Sequence, residues 1–220
     1  MIRDVIFLFL GLVLLWTPRS WLRLGKPEAT RTKKKKASGG PNRDRMPDDH
    51  SLWAGEEFSR RRNWLDFGRA LSGGTAVYYT LPTLIQMWIN VPGVHIEQVV
   101  MMTQAVILLA GVAIQMIRVE ERLTLFPPVF YICGLALPVI GIKAGLIAFA
   151  AIWAINIILP NPGVFLTAYA GGVVILSIMV GRGTQPAIVM AALAAFPPLV
   201  SVLFRRRLAQ YRKRTKIVVR

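Results

Sequence analysis

The chain has 220 residues, of which 54% are hydrophobic and 17% charged, and its formal net charge is +16. A soluble domain of this length rarely carries so large an apolar share, because its core could not bury it. Of the 27 basic residues, 13 fall between residues 19 and 62 and 8 between residues 205 and 220. This separation excludes an ordinary soluble domain and predicts basic aqueous segments joined to nearly uncharged membrane spans.

The first predicted element is a membrane anchor within residues 1–17. Its apolar stretch, residues 5–16, is followed by Arg19, Arg23 and Lys26. A cleaved secretory signal has excess positive charge before the apolar stretch and a small-residue cleavage site after it. Here Arg3 is offset by Asp4, and no such cleavage site follows. We therefore expect an uncleaved anchor with its N-terminus outside. Because the stretch is short, a shallow or re-entrant helix stays open as an alternative.

The next region, residues 18–50, is basic, and residues 26–47 within it are nearly free of apolar side chains. This composition predicts a disordered cytoplasmic loop. Aromatic side chains return among charged ones in residues 51–68. That mixture is typical of an amphipathic helix lying in the headgroup region. An ordinary juxtamembrane loop with anchoring tryptophans explains it equally well.

Six further apolar segments follow within residues 69–204. The segment at residues 99–117 is the clearest, since it holds no charge and about 20 residues suffice to cross the hydrocarbon. A tight hairpin at Lys143 is predicted to split the long apolar stretch around it. The sequence thus predicts an all-α polytopic transmembrane bundle of about seven helices, whose last six segments are residues 70–90, 99–117, 123–142, 144–159, 163–180 and 186–204.

Orientation follows from the distribution of Lys and Arg. With the N-terminus outside and the C-terminus inside, the outer side carries only Arg3, Lys143 and Arg182, and the other basic residues lie in the cytoplasm. The positive-inside rule favours this arrangement over its inverse. We expect a multi-pass protein of a bacterial-type inner (plasma) membrane.

Polar side chains inside the spans are few, and no Asp or Glu is among them. A midplane carboxylate is typical of ion-coupled transporters, so that function is disfavoured. The candidates are Gln104, Gln115 and Asn156. Gln104 and Gln115 are predicted to share a helix face, since they are three turns apart. They could line a polar path, but the sequence favours interhelical hydrogen bonds, each contributing about 1 kcal/mol or less.

Small residues and prolines mark further positions in the spans. Pro82 and Pro138 fall within predicted helices, where each removes a backbone hydrogen bond. Small side chains allow helices to approach closely. Close approach is predicted at Gly141, Gly145, Ala168, Gly171 and Gly172.

The sequence favours a non-catalytic membrane component, either a scaffold or assembly subunit or a small permease-like bundle. The alternative is a membrane enzyme acting on a lipid-linked substrate at the cytoplasmic interface. Its catalytic groups would come from the charges collected there, which are Asp66, Arg69, Glu120, Glu121 and Arg122. Charges at helix ends more often anchor the helix, and no zinc-protease, phosphate-loop or serine-hydrolase motif is present. With Cys133 as the one cysteine, we expect no metal and no cofactor.

Two basic clusters predict contact with anionic lipid headgroups on the cytoplasmic leaflet. Other membrane proteins are further candidate partners. Nucleic acid is disfavoured, because no folded reading module accompanies the charge. The clusters comprise Lys33, Lys34, Lys35 and Lys36 in the loop, and Arg205, Arg206, Arg207, Arg212, Lys213 and Arg214 in the tail, residues 205–220.

A synthetic peptide of residues 205–220 should bind vesicles that contain anionic lipid and ignore zwitterionic ones. The reason is that each basic side chain near an anionic surface contributes about 1 kcal/mol. Binding, followed by vesicle co-sedimentation, should be lost near 1 M salt, where the screening length falls to about 3 Å. Equal binding to both vesicle types, or binding that survives high salt, would contradict the electrostatic interpretation.

Overall fold

The computed structural model describes residues 2–18, 52, 54–88, 95–119, 123–181, 183–205 and 208. This part of the chain is helical apart from one small antiparallel hairpin. The helices are α1 (Ile2–Trp16), α2 (Ala54–Ser59), α3 (Arg61–Trp88), α4 (Ile96–Met116), α5 (Val129–Ile140), α6 (Ile142–Ile155), α7 (Pro162–Met179) and α8 (Thr184–Leu203). The strands are β1 (Ile117–Val119) and β2 (Leu123–Leu125), and a 3-10 turn (Asn156–Ile158) extends α6.

Helix occurs in every predicted apolar segment, but two boundaries differ from the prediction. Helix α3 begins at Arg61, nine residues before the apolar run at residue 70. Residues 123–125 form β2 instead of the start of a helix, with Leu125 opposite Ile117 in the register. The cause is Pro127 and Pro128, which lack backbone N–H groups and delay α5 until Val129.

Three described helices are long and apolar enough to cross a membrane, namely α4, α7 and α8. Helices α5 and α6 are apolar but have 12 and 14 residues, so at 1.5 Å per residue they extend about 18 Å and 21 Å. Hydrocarbon about 30 Å thick exceeds both lengths. The structure therefore supports a membrane protein with three candidate spans, and the predicted seven-span bundle is not established by it.

The surface of the helices supports the membrane assignment. Soluble monomers rarely expose continuous apolar patches larger than a few hundred Å². Here large apolar side chains are exposed along several helices, as lipid contact requires. Examples are Phe7, Phe9 and Leu10 on α1, Met102 and Val106 on α4, Ile175 and Ile178 on α7, and Ile188, Leu199 and Val202 on α8.

Helix α5 forms the centre of the bundle. All 12 of its residues are buried, and it packs against α3, α6 and α8. The turn to α6 lies at Gly141, whose φ of 87° is a conformation that favours glycine. The predicted hairpin near Lys143 is thus confirmed, two residues earlier than expected. Gly145 packs closely on α5, where an added Cβ would lie 3.0 Å from the Leu137 Cα.

Two of the predicted close-approach positions are wrong. A Cβ added at Gly171 or Gly172 would meet no atom within 4 Å. Both glycines lie on parts of α7 that face away from the neighbouring helices, so their small size brings no described helix closer.

A close contact that was not predicted joins α1 and α3. A Cβ added at Gly11 would lie 2.6 Å from the Ala76 Cβ, and one added at Gly73 would lie 2.8 Å from the Gly11 carbonyl oxygen. Glycine on both helices lets the two backbones touch. The first helix is thereby packed as an integral part of the bundle.

Replacing Gly73 by Ala should destabilise the fold by about 1–3 kcal/mol, because the new methyl group overlaps the α1 backbone. Gly171→Ala is the matched control, since its methyl group meets open space. We expect the control to keep its stability or to gain up to about 1 kcal/mol, because alanine favours a helix more than glycine does. The measurement is the free energy of unfolding in detergent micelles, and equal values for the two variants would refute the close α1–α3 contact.

Candidate functional site

Three buried side chains converge on the C-terminal end of α1. The last carbonyls of a helix lack intrahelical donors and need partners from elsewhere. The Tyr131 hydroxyl donates to the Leu15 carbonyl at 3.0 Å, and Gln115 Nε2 donates to the Thr17 carbonyl at 2.9 Å. Arg69 Nη1 also donates to the Thr17 carbonyl, at 2.9 Å. We call Arg69, Gln115 and Tyr131 the α1-terminal cluster.

The charge in this cluster is balanced locally. Arg69 Nη2 lies 3.4 Å from Asp66 Oδ1, one turn earlier on α3, and both side chains are only 8% exposed. The C-terminal end of a helix carries partial negative charge, so a guanidinium is stabilised there. The same guanidinium lies 5.9 Å from the centre of the Tyr131 ring, within cation–π range. The cluster therefore joins α3, α4 and α5 to the end of α1.

Gln104 supplies a hydrogen-bond donor that is missing on α3. Pro82 has no N–H, so it cannot donate to the carbonyl four residues earlier, which belongs to Tyr78. Gln104 Nε2 donates to that carbonyl from α4 at 3.1 Å. A neighbouring helix thus replaces the hydrogen bond that the proline removes.

Asn156 makes the third contact of this kind. Its Nδ2 donates to the carbonyl of Leu52, which lies before α2, and both residues are buried.

Helix α2 makes further contacts beside Asn156. Phe58 of α2 packs against Trp153 of α6 with ring centres 4.9 Å apart. The Glu57 carboxylate is held by Arg60 Nη1 at 2.7 Å and by Asn63 Nδ2 at 2.5 Å. The segment before α3 is thus fastened to the bundle by polar and aromatic contacts.

The aromatic contacts around Phe58 form a continuous group that the sequence did not predict. Neighbouring rings have centres between 4.9 and 6.3 Å apart, mostly in edge-to-face or tilted arrangements. Aromatic residues near residue 58 were visible in the sequence, but their partners on α5, α6 and α7 were not. The group comprises Phe58, Trp64, Phe67, Phe130, Phe149, Trp153 and Phe165.

Both predicted glutamines lie on the buried face of α4, but the structure gives them different partners. Gln104 contacts α3, whereas Gln115 contacts the end of α1. They and Asn156 each donate to a backbone carbonyl, so their amide N–H groups do not line a shared path.

The structure describes some of the predicted interface residues and not others. Asp66 and Arg69 are brought together and buried. Arg205 is exposed and has a φ of 49° just after α8, and Leu208 forms a parallel bridge with Leu125. The remaining candidates lie outside the described residues; they are Glu120, Glu121, Arg122, Lys33, Lys34, Lys35, Lys36, Arg206, Arg207, Arg212, Lys213 and Arg214.

A cleft of about 290 Å³ opens at the end of the bundle opposite the α1-terminal cluster. We call it the distal cleft. Its walls come from the C-terminal parts of α3 and α5 and the N-terminal parts of α4 and α8. The lining residues are Tyr78, Pro82, Gln86, Ile96, Glu97, Val100, Met101, Gln104, Leu108, Val139, Gln185, Pro186 and Val189. None of these except Gln104 was predicted as a site residue.

Within the described part of the chain, no group of three or more His, Cys, Asp or Glu side chains could hold a metal ion. No protein-family model, curated protein or solved structure matches the chain. Its geometry and chemistry alone therefore bear on its function.

Replacing Gln104 by Leu should cost about 1 kcal/mol of stability, because the Tyr78 carbonyl loses its donor. In a Pro82→Ala background the same replacement should cost little, since the backbone N–H of the introduced alanine can reach that carbonyl. The difference is a double-mutant coupling energy, measured from unfolding in micelles. Gln98→Leu, an exposed site on the same helix, is the control. Equal costs of Gln104→Leu in both backgrounds would disprove the proposed pairing.

Proposed function

We propose that the chain is a seven-span, non-catalytic component of a bacterial-type inner membrane, and that it acts as a scaffold or assembly subunit. One observation carries this proposal. The three polar side chains that were predicted inside the spans, Gln104, Gln115 and Asn156, each donate to a backbone carbonyl. Such groups stabilise the packing of helices, whereas a transporter needs polar groups available to its substrate.

The helix starts and ends that lie together at each end of the bundle support seven spans that cross the membrane in alternating directions. The ends of α1 and α4 lie beside the starts of α3 and α5 in the α1-terminal cluster. The starts of α4 and α8 lie beside the ends of α3 and α5 around the distal cleft. This is the pattern of an up-and-down bundle. Helix α3 has 28 residues and reaches about 42 Å, enough to cross the membrane and extend beyond it.

The length of the remaining helices fits the same arrangement. Helices α5 and α6 are short, but α5 is enclosed by other helices and the 3-10 turn lengthens α6. Backbone that is shielded by protein does not have to extend through the whole hydrocarbon layer.

The enzyme alternative receives less support. Two of its candidate residues, Asp66 and Arg69, have side chains that are 8% exposed. Arg69 is directed at the backbone of α1. A lipid-linked substrate at the interface would not reach groups that are engaged in this way.

Reporter fusions test the span number and orientation. A reporter after Arg220 should be active in the cytoplasm, and reporters inserted near Gly93 or Gly141 should be active outside. The physical reason is the large excess of Lys and Arg on the assigned cytoplasmic side. If the Gly141 reporter were cytoplasmic, α5 and α6 would not be transmembrane. If the Arg220 and Gly93 reporters lay on the same side, the odd number of spans would be ruled out.

The scaffold role is tested on the full chain extracted from its native membrane in a mild detergent. We expect it to migrate as an assembly with other membrane chains at fixed stoichiometry. In proteoliposomes, the purified chain should show no saturable solute flux and no turnover of lipid-linked substrates. A chain that purifies alone and carries out either activity would contradict the proposal.

A further inference from the structure

The distal cleft combines an apolar wall with a small set of hydrogen-bonding groups. Its apolar surface includes Pro82, Val100, Met101 and Leu108. Small-molecule sites usually have this composition, in which a few polar groups orient a mainly apolar ligand. With a volume of about 290 Å³, the cleft is at the small end of the usual range of about 300–1,000 Å³. It suits a compact ligand with a short alkyl part.

The charge of the residues that line the cleft indicates which charge the ligand should carry. Glu97 is the one charged residue among the described residues that line it, and no Lys or Arg is among them. Tyr78 is also among the lining residues, and an aromatic ring attracts cations. A cationic group is therefore favoured over a neutral or anionic one.

Gln104 provides the hydrogen-bonding group deepest in the bundle. Gln104 is 8% exposed and lies on the cleft wall. One N–H of Nε2 is already used, because it donates to the Tyr78 carbonyl. The amide oxygen Oε1 has no partner within the described part of the chain and can only accept. A ligand that matches it must carry an N–H or O–H donor.

We propose that the distal cleft binds the primary ammonium group of a small alkylammonium ligand, with Gln104 Oε1 as its hydrogen-bond acceptor and the Glu97 carboxylate attracting its charge from the opening. The same chemistry is found in a free alkylamine and in the ethanolamine headgroup of a membrane lipid. The alkyl part lies against Val100, Met101 and Leu108. The site is additional to the scaffold role and does not depend on it.

Gln104 and Glu97 contribute unequally to binding. Glu97 is exposed, so solvent weakens its attraction for the ammonium group. Gln104 is buried, where a hydrogen bond to a charged group is stronger. Loss of the Gln104 amide should therefore weaken binding more than neutralising Glu97.

Calorimetric titration tests the site with the full chain in maltoside micelles. The probes are hexylammonium, neutral 1-hexanol and anionic hexanoate, which share one alkyl chain. We expect saturable binding of hexylammonium alone. Binding should weaken about tenfold in Gln104→Leu and about threefold in Glu97→Gln. Gln98→Leu, the same substitution on the same helix away from the cleft, should bind like the parent chain.

Glu97→Lys keeps the test decisive if Gln104→Leu fails to fold, because position 97 is exposed. This variant should lose hexylammonium binding, since a like charge then stands at the opening. The proposal is overturned if hexanol or hexanoate binds as tightly as hexylammonium, or if Glu97→Lys binds as the parent chain does.

Native mass spectrometry distinguishes the two sources of the amine. The chain is extracted from bilayers of phosphatidylethanolamine and phosphatidylglycerol, with Glu97→Lys in parallel. Retention of phosphatidylethanolamine by the parent chain alone identifies the lipid headgroup. Hexylammonium binding without that retention identifies a free amine. If neither hexylammonium nor phosphatidylethanolamine binds, the site does not exist.

Discussion

The structure depends on one constraint, which is that a backbone carbonyl in hydrocarbon has no water to pair with. Intrahelical hydrogen bonds cannot satisfy every carbonyl in this chain. The carbonyls at the end of α1 lie beyond the last donors of that helix, and the Tyr78 carbonyl loses its donor to Pro82. Each receives a side-chain donor from another helix. The side chains that donate to these carbonyls are Arg69, Gln104, Gln115 and Tyr131.

This use of polar groups also holds the first helix in place. Helix α1 has an exposed apolar surface typical of a lipid-facing anchor. Its C-terminal carbonyls are nevertheless bonded to α3, α4 and α5, and Gly11 contacts Gly73 on α3. Because a polar contact and a close backbone contact act on the same short helix, α1 is packed as part of the bundle.

The sequence predicted the helices from apolar runs alone, and it placed both glutamines on the buried face of α4. It could not predict their partners, because hydropathy says which residues are apolar but not which helices become neighbours. Pro82 marks a carbonyl without a donor, yet nothing local identifies Gln104 as its replacement. Asp66 and Arg69 were predicted as interface charges, and their spacing of one turn allows the ion pair, but only the fold shows that the pair is buried. Gly171 and Gly172 failed as close-contact predictions for the same reason, since a small residue permits contact without specifying a partner.

Gln104 and the Tyr78 carbonyl test this account most directly, because Tyr78 and Tyr79 are the one pair of consecutive tyrosines in the chain. Labelling with tyrosine that carries ¹³C at the carbonyl and ¹⁵N at the amide therefore isolates a single carbonyl–nitrogen correlation in a solid-state NMR spectrum of the bilayer-embedded chain. That resonance reports hydrogen bonding at the Tyr78 carbonyl. We expect Gln104→Leu to move it upfield, as loss of a donor requires, and Gln98→Leu to leave it in place. An unchanged resonance in Gln104→Leu would show that the carbonyl is satisfied without Gln104, and would contradict the claim that buried polar side chains serve the backbone.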